Sequence, residues 1–159
     1  MRKSSRPTTD AGRAAPTLAL LGALLLALVA AAPAAAADRV SVDVSVANVR
    51  SGPGTGNQVL WKVEKYHPLE VIQRSGEWIE FRDYEGDRAW IYAPLVGETD
   101  AVIVRRNNCN VRTGPGTDNP VQFVAERGVP FRAMERNGNW IRIRHADGDE
   151  GWIHESLVW

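Results

Sequence analysis

Cys109 and three histidines, His67, His145 and His154, are the residues with which this 159-residue chain would do nucleophilic or metal chemistry. A thiol nucleophile needs a neighbouring base to lower its pKa. Cys109 instead shares strand parity with Val111, which reads as a small core residue. The histidines stand in no motif with metal-ligand spacing. Glu85, Asp87, Asp147, Asp149 and Glu150 gather where turns are expected, as solvated tips rather than a paired acid and base. No catalytic residue, metal site or cofactor is expected, and the chain reads as a non-enzyme.

Flat rings are the more promising chemistry. In Trp140-Ile141-Arg142-Ile143-Arg144 the isoleucines share one face of an extended chain and Trp140 shares the other with two arginines. Trp78 stands likewise opposite Ile79 and Phe81, while Trp90 with Tyr92, and Trp152 with His154, oppose Ile91 and Ile153. Large amphipathic rings outside an aliphatic core suit peptide or sugar faces, since they offer contact area at low entropic cost. The candidate ligand-binding residues are Trp78, Trp90, Tyr92, Trp140, Trp152, His154 and Tyr84. Trp61, Tyr66, His67 and Tyr84 stand where Phe123, Gly128, Val129 and Ala146 stand later, which favours the earlier set as the working groove.

That correspondence comes from an internal repeat. Residues 48–97 align without a gap on 110–159 at an offset of 62, with 22 of the 50 pairs identical. Each copy opens on the same run, Asn48-Val49-Arg50-Ser51-Gly52-Pro53-Gly54-Thr55 and Asn110-Val111-Arg112-Thr113-Gly114-Pro115-Gly116-Thr117. The Gly-Pro-Gly segments lack the following Lys and helix of a phosphate loop and read as turn formers. Arg50 and Arg112, at their mouths, are expected to bond loop carbonyls. Period-two patterning fills the rest: Val40 to Val46 alternates valine with polar residues as one half-buried strand. Three further strands in each copy are separated by Ser75-Gly76 and Glu85-Gly86, then by Asn137-Gly138 and Asp147-Gly148, dipeptides that tight hairpins favour. The expectation is all-β, two small curled barrels in tandem.

A basic stretch with Arg2, Lys3, Arg6 and Arg13 precedes the apolar run Leu18 to Ala32 and a small-residue site at Ala35 and Ala37. This predicts a secretory signal peptide over residues 1–37, too short in its apolar part to anchor the chain in a membrane. The remaining chain carries 15 basic and 18 acidic residues, a formal charge of −3, which argues against nucleic acid as a partner. It is expected in the periplasm or outside the cell, and its lone Cys leaves stability to packing.

The run N-V-R-[ST]-G-P-G-T, a later G-x-W-I and a closing G-D-x-x-W-I-x-x-x-L-V, in this order and twice over, resemble the bacterial SH3-like (Src homology 3) family. The resemblance implies two five-stranded barrels, residues 38–97 and 101–159, and a ligand from the cell envelope, peptidoglycan or a peptide. It also implies, by analogy with peptide-binding relatives, a groove floored by Trp78 or Trp140 and rimmed by Trp90 and Tyr92, or by Trp152 and His154. The alternative is a scaffold or accessory subunit that holds a periplasmic protein on the same surface.

Overall fold

The valine-rich run that opens the expected mature chain is not one strand. In the computed structural model, which describes residues 38–159, it is broken into β1 (Arg39–Val42) and β2 (Val46–Arg50) by a bend at Asp43-Val44-Ser45. Ser41 is buried between two buried valines because its hydroxyl donates to the Thr99 carbonyl, 2.8 Å away in the segment joining the two copies. A polar residue can sit in that strand once its hydrogen bond is made. The expected signal peptide lies outside the described residues.

The first copy continues through β3 (Val59–Glu64), β4 (Pro68–Ser75), β5 (Trp78–Arg82), β6 (Arg88–Tyr92) and the two-residue β7 (Val96–Gly97). Its sheet has the order β3-β2-β6-β5-β4-β1-β7. The second copy comprises β8 (Ala101–Ile103), β9 (Cys109–Arg112), β10 (Val121–Ala125), β11 (Pro130–Asn137), β12 (Trp140–Arg144) and β13 (Glu150–His154), in the order β10-β9-β13-β12-β11-β8. The seven-to-six difference is nominal, since Val42 pairs with Val96 in one copy and Val104 forms an isolated bridge to Val158 in the other. Patterning gives four strands per copy; the division of the opening strand and the strand β3 or β10 within the expected long loop make six, and the two-residue β7 is the seventh in the first. The β4–β5 and β11–β12 hairpins turn where Gly76 and Gly138 each take φ 57°, as the dipeptides there predict.

The interior follows strand parity. Val49, Leu69, Ile79, Phe81 and Ile91 fill the first core, and Val111, Phe131, Ile141, Ile143 and Ile153 the second. Among the described residues the two cores share no residue. Cys109 is buried in the second, donating to the Arg106 carbonyl at 3.2 Å, and burial pushes its thiol pKa up. That is the opposite of nucleophile activation. Repeated ion pairs, Asp38 with Arg74 and Asp100 with Arg136, each 3.1 Å, tie the start of each copy to its own hairpin.

Across the copies, Glu85 pairs with Arg127 at 2.6 Å, and the Arg39 guanidinium lies 4.0 Å from the Trp159 ring centroid. Tyr84 belongs to this junction: its hydroxyl would stand 3.1 Å from a Cβ on Gly128, and the Arg127 guanidinium lies 6.0 Å from its ring. Behind Tyr84, His67 packs edge-on at 6.0 Å with its Nε2 buried and unpartnered, and burial lowers its pKa to about 4 against a smaller opposing pull from Asp83.

His67 stays neutral in the folded state while the unfolded chain binds its proton below pH 6.5, so stability falls as pH drops from 6.5 towards 4. At pH 5 the loss amounts to about 2 kcal/mol. His67→Val, which installs the residue found at the matching position 129, should abolish that part of the acid destabilisation. Urea midpoints at pH 7.5 and pH 5 check this, and an unchanged pH slope in the variant would contradict it.

Candidate functional site

The opening run of each copy builds a loop locked from inside. Arg50 Nη1 donates to the carbonyls of Thr55 and Asn57 at 3.0 and 2.8 Å, and Arg112 Nη1 to that of Asn119 at 2.7 Å. These are the loop-carbonyl bonds expected of the two arginines. Asn57 and Asn119 in turn reach back to the carbonyls of Gly54 and Gly116, at 3.3 and 3.4 Å. Gly52 and Gly114 let them do so, because a Cβ on either would come within 2.8 or 2.7 Å of the Asn Oδ1. The loop is therefore bonded from within by its own side chains, positioned beside the outer face of the meander.

On that face the cross-strand register sets the rings. Trp78 is directly opposite Tyr92, and Trp140 opposite His154. Their ring centroids stand 5.5 and 5.4 Å apart, tilted in the first pair and edge-to-face in the second. Such pairs hold each other in place as well as offering a contact surface. Between ring pair and loop runs a groove of about 250 Å³ in the first copy, lined by Asn48, Arg50, Thr55, Trp78, Tyr92 and Leu95. The second copy has one of about 360 Å³, lined by Asn110, Arg112, Thr117, Trp140, His154 and Leu157. Each of these six positions matches its counterpart at the same offset of 62, and only Tyr92 and His154 differ in type.

Other sequence-picked rings stand elsewhere. Trp90 and Trp152 are half-buried on the same outer face two residues along the strand, opposite Glu80 and Arg142. Trp152 borders a separate depression with Thr113, Gln122 and Glu150. Tyr84 lies at the junction between copies. Trp61 packs edge-on against Phe81 at 6.5 Å. None of Trp61, Tyr66, His67 and Tyr84 lines the first groove, so the asymmetry that favoured the first copy concerns packing and the junction; the second copy has an equivalent groove of its own. Asn48, Thr55 and Leu95, with Asn110, Thr117 and Leu157, are groove residues that reasoning by ring and parity missed. Their identity in both copies was the available signal.

At the β5–β6 turn the buried Asp83 accepts the backbone N–H groups of Glu85 and Asp87, each at 2.9 Å, so these carboxylates are organised by the turn. The equivalent turn has His145, whose Nδ1 lies 3.2 Å from Asp147.

A model of the bacterial SH3 domain matches residues 43–98 and again residues 105–159. The chain belongs to the bacterial SH3 domain family. It is 25% identical over 122 residues to the Bacillus subtilis protein named "Putative N-acetylmuramoyl-L-alanine amidase YrvJ", covering 70% of this chain and 23% of that protein. It is 33% identical over 64 residues to "Probable cell wall amidase LytH" of Staphylococcus epidermidis, covering 40% of this chain and 22% of that one. The chain thus spans under a quarter of the length of these relatives. Among solved structures it is similar to an NlpC/P60 family protein from Bacillus cereus, with a TM-score of 0.38 and 10% identity over 77% of this chain and 56% of that one. No helix among the described residues of this tandem SH3 protein is long and apolar enough to cross a membrane.

Proposed function

We propose that this tandem bacterial SH3 protein is a non-catalytic, secreted cell-wall-binding protein that grips peptidoglycan, or a peptide borne on it, in its two aromatic grooves. The observation that carries the reading is the same groove, built twice from the same six positions. Stability alone does not require outward rings, loop asparagines and a leucine to meet around an open trough in both copies, whereas a repeated ligand does. Peptidoglycan repeats along its strands, so two grooves of one plan in one chain gain by acting together. The wall-amidase names of the relatives lend support, since the shared segment is this SH3 region. Against catalysis stands the buried thiol of Cys109, whose pKa is raised, and His154, whose Nδ1 accepts the Ser156 N–H at 3.3 Å.

Residues 38–159 should co-sediment with purified peptidoglycan sacculi, saturably and without releasing soluble wall fragments. A chain that stays in the supernatant, yet recovers a stoichiometric protein from envelope extracts, would replace the wall reading with that of a scaffold for a periplasmic partner.

A further inference from the structure

The two grooves share a plan and differ in charge, and the differences fall on the rim. Where the first copy has Val44, Ser45 and Val46, the second has Arg106, Asn107 and Asn108. Val46 is 54% exposed at the lip of the first groove, while the three polar replacements all line the second. Glu77 lies beside the first groove, its Oε2 accepting the Tyr92 hydroxyl at 3.3 Å; its counterpart is the neutral Asn139. Pro94 is replaced by Ser156, whose Oγ sits 2.9 Å from His154 Nδ1.

The second groove is therefore lined by two arginines and no carboxylate, on a chain whose residues 38–159 carry a formal charge of −3. Arg106 has no acidic partner within ion-pair distance among the described residues. Glu126 accepts the Asn108 backbone N–H at 3.4 Å and does not line the groove. Arg112 spends one nitrogen on the loop carbonyl of Asn119, leaving its remaining donors for other acceptors. An unpaired arginine flanked by amide and hydroxyl donors, with an aromatic floor, is a receptor for a carboxylate attached to an apolar or backbone body.

We infer that the second groove, through Arg106 with Asn107 and Asn108, binds the free carboxylate of a wall-borne peptide, whereas the first takes an uncharged stretch of ligand. This rests on the wall-binding reading above, and it gives the two grooves different ligand chemistries.

N-acetyl-alanine and N-acetyl-alaninamide differ only in that carboxylate. Titrated into residues 38–159 and followed by the indole N–H signals in two-dimensional NMR, the acid should shift Trp140 and leave Trp78 in place. The amide should shift neither to the same degree, and added salt should weaken the response. Arg106→Val, an exposed loop change to the first copy's chemistry, should lower affinity for the acid about five- to tenfold. In the same way it should weaken binding to native sacculi but not to sacculi whose carboxylates have been amidated. Equal response of Trp140 to acid and amide, or an Arg106→Val chain that matches the wild type for the acid, overturns the carboxylate site. Failure of every chain to bind sacculi, with acid-over-amide preference intact, overturns the wall reading alone.

Discussion

Phe81→Ala should unfold the first barrel and leave the second folded. Phe81 is fully buried, packed edge-on by Trp61 and surrounded by Val49, Leu69, Ile79 and Ile91. Removing such a ring costs about 3–5 kcal/mol through lost burial and the cavity left behind. A barrel of this size holds a net stability of the same order, so the deletion consumes most of it. Because the second core is built without a residue from the first, the signals of residues 101–159 should keep their dispersion in an amide NMR spectrum while those of 38–97 collapse. Joint loss of both sets would show that the junction of Glu85 with Arg127 and Arg39 with Trp159 makes the copies a single cooperative unit.

Loss of wall binding on removing both groove tryptophans is the second large effect. Trp78 and Trp140 are half-buried, and each pairs across strands with Tyr92 or His154. Truncating a tryptophan at the centre of a binding surface typically costs 2 kcal/mol or more, roughly thirtyfold in affinity. With two grooves acting on a repeating ligand, one deletion leaves the other groove as a weaker monovalent site, while two remove both. The cores should tolerate the change, since Ile79, Phe81, Ile141 and Ile143 face the other way.

Much of the groove was legible because its floor obeys the simplest rule in a strand. Period two placed Trp78 and Trp140 outside the core, and the Asp147-Gly148 turn set the hairpin that brings Trp140 opposite His154. The repeat supplied the domain plan. What could not be read was any contact made by folding distant segments together. The break after Val42 was hidden because valine continues to alternate through Val46, and the burial of Ser41 depends on a carbonyl 58 residues away. The loop lock of Asn57 and Asn119 requires glycine at 52 and 114 for space, a reason invisible in a motif that reads as turn chemistry. Tyr84 and His67 looked like groove aromatics by type, yet parity says nothing of a turn residue, and both pack at the junction, where Gly128 makes room. The added arginine of the second groove lies in a segment preceding the aligned repeat, and it acquires meaning only when the bend brings Arg106 to the rim.

The most direct test is a set of sacculus co-sedimentation isotherms for residues 38–159 as wild type, Trp78→Ala, Trp140→Ala and the double variant, each shown to be folded by its amide NMR dispersion. Two wall-binding grooves predict at least a tenfold loss of affinity for each single variant and no measurable binding for the double. A folded double variant that pellets as the wild type does would place wall binding elsewhere on the surface and contradict the account.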